Sequence, residues 1–103
     1  MTSPSGNRGN GLDTMIHEAA RLAIVSVLSE CETADFNVVL STTGLTRGNL
    51  SAHMKRLVDA GYVEERKQFD DRKPHTEYRL TRTGRRAFRA YKKAWRQLTG
   101  GPA

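Results

Sequence analysis

Cysteine occurs once in this chain of 103 residues, at Cys31, so no disulfide can form within it. A lone thiol supplies no thiolate metal cluster, and such usage fits a reducing compartment. Cys31 reads as a small residue in or near the core. Long apolar runs are missing as well. None approaches the roughly 18–20 residues of a membrane span, and the N-terminal MTSPSGNRGNG lacks the apolar centre of a signal peptide. The expectation is a cytoplasmic protein that does not enter a membrane. No nucleophile stands beside a base in motif context, no glycine loop is placed to cradle phosphate, and His, Cys and acidic residues lack metal-ligand spacing. Neither an enzyme nor a metal or cofactor is expected.

Acidic residues are scarce where bases are many. The chain carries a formal net charge of +6, unevenly spread. Residues 12–43 hold five acids against Arg21, a net −4, whereas residues 44–103 hold fifteen bases against six acids, a net +9. Such asymmetry points one end of the molecule at a polyanion. A membrane surface fits less well, because the bases do not border one broad apolar face.

The length suits one domain with a modest core. Residues 1–11 are mostly Ser, Gly, Asn and Pro, which predicts a disordered arm. From Leu12 to about Glu30 apolar residues recur every three and four positions, which predicts a long helix capped by Asp13, with a break near His17. ETADF reads as a connection. Asp35 is placed to cap a short helix over 36–42, with Phe36, Val39 and Leu40 inward and Gly44 ending it. Thr46 then caps a third helix over about 47–60, whose buried face is Leu50, Met54 and Leu57. Two helices joined by a short turn containing Gly form a helix-turn-helix pattern. Next come strands over 62–67 and 76–80 with a charged tip at Asp70–Pro74, a wing of about residues 68–75. Thr81 caps a last helix over 82–98, and residues 100–103 form a flexible tail. The fold class is mostly α with a small β-hairpin, the domain spanning residues 12–99.

The segment GLTRGNLSAHMKRLVDAGYV followed by TEYRLTRTGRRAF resembles the winged helix-turn-helix transcriptional regulators, small single-domain proteins related to the MarR and ArsR groups. The likeness covers about Asp13 to Leu98. It implies sequence-specific duplex DNA binding by a homodimer, usually to repress transcription, with the third helix in the major groove and the wing on the minor groove or backbone.

The residues support that chemistry on their own. Arg47 can fork onto guanine, Asn49 can pair with adenine, and the Ala52 methyl can meet a thymine methyl. Gly48 and Ala52 are small enough for close backbone approach. Ser51, Lys55 and Arg56 suit phosphates, and Thr46 can serve cap and phosphate together. Arg72 and Lys73 stand at the wing tip, where a narrow minor groove attracts cations. His53 flanks the buried face, so core-edge packing and DNA contact both stay open. Thr42 and Thr43 are weaker phosphate candidates, and His17 and His75 read as structural or surface groups.

On the last helix, Gly84, Phe88, Tyr91, Trp95 and Leu98 form a heptad-like seam. Phe88, Tyr91, Trp95 and Leu98 either cover the core of their own subunit or form the dimerisation surface. A two-fold dimer would read a palindromic operator. The seven bases of this helix, with no acid among them, face DNA or counterions or repel across the interface. Two other functions stay open: a ligand-responsive regulator with a pocket at the dimer interface, and a protein-interaction module on the same scaffold. An RNA reader fits poorly, because the outward face of residues 47–56 lacks stacking rings.

Overall fold

In the computed structural model, which describes residues 11–70 and 73–100, the elements are α1 (Ala19–Ser29), β1 (Ala34–Asp35), α2 (Phe36–Thr43), α3 (Arg47–Asp59), β2 (Val63–Asp70), β3 (Lys73–Leu80) and α4 (Arg82–Thr99). The strands form one antiparallel sheet in the order β1-β3-β2. Residues 1–10 of the expected arm, Arg72 at the wing tip and residues 101–103 of the tail lie outside the described residues.

The first helix begins at Ala19, not at Leu12. Asp13 accepts from the Met15 amide with its side chain, at 2.8 Å, and from Ile16 and His17 with its carbonyl. Glu18 is extended (φ −153°) and caps α1 by accepting from the Arg21 amide at 2.8 Å. Acidic side chains that bind nearby amides offer the backbone an alternative to helix. Leu12 and Ile16 are still buried, so their spacing reported burial in a turn rather than a helical face.

The expected caps hold further along. Asp35 accepts from the Val38 amide at 2.9 Å, Gly44 ends α2 at φ +74°, and Thr46 accepts from the Asn49 amide at 3.1 Å. The connection ETADF contains β1, a strand of two residues with Ala34 opposite Tyr78 and Asp35 opposite Glu77. Both arms of the hairpin outrun expectation, reaching Asp70 and Lys73, and Pro74 lies inside β3 opposite Phe69. β1 extends only to Glu77 and Tyr78. At Pro74 the strand therefore has a single neighbour, where a missing N–H is tolerated.

One core joins these elements. Ile16, Ile24, Val25, Leu28, Val39, Leu50 and Leu57 are fully buried, with Met54, Val63, Tyr78, Leu80, Phe88 and Tyr91 around them. α4 is clamped at its start. Thr81 Oγ1 accepts from the Gly84 amide at 3.0 Å and donates to the Gly61 carbonyl at 2.7 Å. A Cβ on Gly84 would lie 2.1 Å from the Tyr62 carbonyl oxygen, so only glycine permits this approach. The Tyr62 hydroxyl donates to the Asp13 carboxylate, tying the N-terminal turn to the α3–β2 corner. Burial and the adjacent carboxylate raise its pKa well above that of an ordinary tyrosine. No helix among the described residues is long and apolar enough to cross a membrane.

Candidate nucleic-acid interface

α3 is held from one side only. Leu50, Met54 and Leu57 are buried, while Arg47, Gly48, Asn49, Ser51, Ala52, Lys55 and Arg56 are all exposed, as is Thr46 at the cap. The segregation follows from helical geometry: positions 50, 54 and 57 share a face, His53 and Val58 flank it half-buried, and the positions opposite turn to solvent. A Cβ on Gly48 would meet nothing within 4 Å, so the helix start presents bare backbone.

The bases on this face are lightly tethered. Arg47 Nη2 donates to Asn37 Oδ1 at 3.0 Å, and its guanidinium lies 5.5 Å from the centre of the Phe36 ring. Lys55 pairs with Asp59 one turn on, at 3.3 Å. Exposed pairs of this kind are weak and yield readily to a stronger anion. Asn37 was not singled out from the sequence. It sits exposed in the first turn of α2, and no periodic signal announces a partner that lies across the turn on another helix.

His53 belongs to the molecule's own framework. It is half-buried, 3.2 Å from Arg21 Nη1 through Nδ1 and 3.8 Å from Glu18 Oε1. A guanidinium only donates, so Nδ1 is the acceptor in this pair. Arg21 Nε in turn donates to the Met15 carbonyl at 2.7 Å. These contacts join the recognition-type helix to the start of α1. The amide of Arg21, aided by the Arg21 guanidinium, holds the Glu18 carboxyl below the usual range against some desolvation.

The flanking candidates separate. Thr42 is exposed, whereas Thr43 Oγ1 donates to the Val39 carbonyl at 2.8 Å and is occupied inside α2. Lys73 is exposed at the start of β3; Arg72 beside it lies outside the described residues. His17 and His75 both have protein partners, Tyr91 Oη at 2.9 Å and Glu77 Oε2 at 3.5 Å.

The C-terminal seam divides in two. Phe88 and Tyr91 lie in the chain's own core, and burial raises the Tyr91 hydroxyl pKa. Trp95 and Leu98 remain 47% and 52% exposed. Trp95 belongs to an open groove of about 810 Å³ between α1 and α4, whose wall also includes His17, Leu22, Phe88 and Tyr91.

Known proteins share this arrangement. An uncharacterized protein of Methanocaldococcus jannaschii, MJ0432, is 32% identical over 77 residues, covering 75% of this chain and 84% of its own. A transcriptional regulator homologue from Pyrococcus horikoshii superposes with a TM-score of 0.80 at 26% identity, over 85% of this chain and 87% of that one. A MarR-family regulator from Silicibacter pomeroyi shares the fold, with a TM-score of 0.59 at 19% identity over 87% of this chain and 62% of that one. Residues 20–99 match the family model described as the winged helix DNA-binding domain. With its helix-turn-helix, its hairpin wing and that match, the chain belongs to the winged helix DNA-binding domain family, whose fold it shares with MarR- and ArsR-type transcriptional regulators.

Proposed function

We propose that the chain is a sequence-specific repressor that binds duplex DNA as a homodimer, α3 entering the major groove and the wing, residues 68–75, touching the adjacent minor groove or backbone. The observation that carries this reading is the exposed start of α3. Small residues and hydrogen-bonding side chains project there without partners strong enough to keep them. Arg47 releases Asn37 to fork onto guanine, Asn49 reads adenine, and Ala52 meets a thymine methyl. Ser51, Lys55, Arg56 and Thr46 hold phosphates and fix the register. Lys73, with Arg72, serves the wing. The half-exposed Trp95 and Leu98 supply the surface for the second copy, while Phe88 and Tyr91 support them from beneath. Two copies related by a two-fold axis read a palindromic operator.

Selection of bound duplexes from a random pool, followed by titration of the winner at several salt concentrations, tests the reading. A palindromic consensus bound about a thousand-fold or more above scrambled duplex supports it. Equal affinity for every duplex removes it. The groove between α1 and α4 favours a second, compatible reading, in which a small apolar effector lodges there and adjusts DNA affinity. A thermal-shift screen against aromatic acids, with no stabilisation by any of them, counts against that addition.

A further inference from the structure

The outer face of α4 carries bases that the recognition-helix reading leaves unused. Arg82, Arg86, Arg89 and Lys93 recur at steps of four, three and four, so they share about 60° of arc on the side opposite Gly84, Phe88 and Tyr91. All four are exposed. Among the described residues no carboxylate pairs with any base of α4; the ion pairs fall on α1, α3 and the hairpin. Two other bases are engaged within the fold, Arg85 donating to the Cys31 carbonyl at 3.0 Å and Lys92 lying 4.8 Å from the Phe88 ring centre. The four of the stripe have no such role.

This arrangement works against the helix that bears it. Like charges three and four residues apart repel. Arg82 in the first turn also opposes the helix dipole, with no acid there to offset it. Solubility does not demand such a pattern: on the hairpin the same chain interleaves its signs, pairing Arg79 with Glu64 at 2.7 Å and Lys67 with Glu65 at 3.7 Å. A row of unpaired cations over about three turns fits a linear polyanion. Of the acids in the N-terminal part, Asp13, Glu18 and Asp35 are committed to turns and caps.

We infer that the Arg82–Arg86–Arg89–Lys93 face of α4 is a second contact for the phosphate backbone of duplex DNA, independent of sequence and separate from α3. A dimer seam at Trp95 and Leu98 uses the other side of the helix and leaves both stripes outward. The inference does not depend on the recognition-helix reading. Backbone contacts set affinity and its salt dependence, whereas base contacts set preference.

The test compares the full chain with a variant bearing R82Q, R86Q, R89Q and K93Q, and with one bearing R82K, R86K and R89K. Affinity for selected and scrambled duplexes is measured from about 50 to 200 mM salt. In the Gln variant the slope of log affinity against log salt is expected to fall by about 0.9 for each lost contact, on both duplexes alike, with their ratio unchanged. The Lys variant is expected to keep the slope, since a phosphate accepts either cation. Neither variant is expected to melt lower, because the Gln changes relieve repulsion. An unchanged slope in the Gln variant overturns the inference, as does a loss in the Lys variant equal to that with Gln. So does a fall in solution mass at constant slope, which would assign the stripe to the acids of a second copy. An N49A control distinguishes the two sites: it alters the duplex ratio and leaves the slope, so failure of either reading shows in its own quantity.

Discussion

Gly48 separates stability from function more cleanly than any other position on α3. Its helix is better without a glycine there, by up to about 1 kcal/mol, and a Cβ would touch nothing in the protein. Gly48→Ala is therefore expected to raise the melting temperature slightly, while Gly48→Leu keeps the fold and lowers DNA affinity at least ten-fold by holding the backbone off the duplex. Calorimetry and gel shift read the two effects; unaltered affinity in the Leu variant would show that α3 does not approach DNA at its start. Glu18 makes the opposite case, a residue whose role is internal. Its carboxylate caps α1 by accepting from the Arg21 amide, which lowers its pKa in the folded state. A carboxyl depressed by folding stabilises above its unfolded value and loses that contribution as pH falls through the lower folded value. Glu18→Gln is expected to cost about 1 kcal/mol at neutral pH, as cap losses do, and to shrink the gap between native and variant melting as pH drops below 4.5. The exposed character of the α3 face was legible in the sequence, because Leu50, Met54 and Leu57 fix the wheel. The allegiance of His53 was not. It depends on Arg21, thirty-two residues earlier, which no local pattern brings alongside.

Elements were legible where caps and periods are strong, and less so where an element is short or contested. Asp35, Thr46 and Thr81 each sit ahead of an amphipathic stretch, and each caps the helix it was expected to cap. β1 escaped notice because two residues contain no alternation; its existence comes from the edge that β3 offers to Ala34 and Asp35. The start of α1 was misplaced because Leu12 and Ile16 obey the helical period while Asp13 and Glu18 draw the local amides into turns. α4 depends on one close approach that the sequence showed only as a seam position. Gly84 lets the helix seat against the Tyr62 carbonyl, and an added methyl must push backbone rather than a flexible side-chain end. Gly84→Ala is expected to destabilise by roughly 1–3 kcal/mol, the usual cost of overpacking, despite the better helix propensity of alanine. Chemical denaturation checks it: an unchanged or higher midpoint would mean that α4 does not need this seat. By contrast Leu57→Ala, in the centre of the core, is expected to cost about 2–5 kcal/mol by leaving a cavity.

At the scale of the whole molecule, charge and apolar surface are arranged around α4. The net charge of the C-terminal part pointed toward a polyanion, and the heptad-like seam read either as cover for the chain's own core or as a dimer surface, which the sequence could not divide. Burial does so, because the helix outruns the domain that supports it. Its start seats against β3 and the Tyr62 carbonyl, and Phe88 and Tyr91 are covered, while Trp95 and Leu98 stay half-exposed on the last turns, Trp95 lining the open groove. Large side chains half-exposed at the end of a helix are costly to hydrate, and a second copy crossing the same groove would cover both. A single winged unit reads one half-site, so pairing also supplies the length of operator that specificity requires. The native chain is therefore expected to show a solution mass twice its 11.5 kDa by light scattering. A variant with W95E and L98E is expected to show 11.5 kDa, with its helical content and melting cooperativity retained, since neither side chain belongs to the buried set. On a palindromic duplex that variant should lose most of its affinity, and on an isolated half-site it should bind as the native protein does. Persistence of the dimer in the variant would move the interface away from the end of α4, and would leave Trp95 and Leu98 as a surface for some other partner.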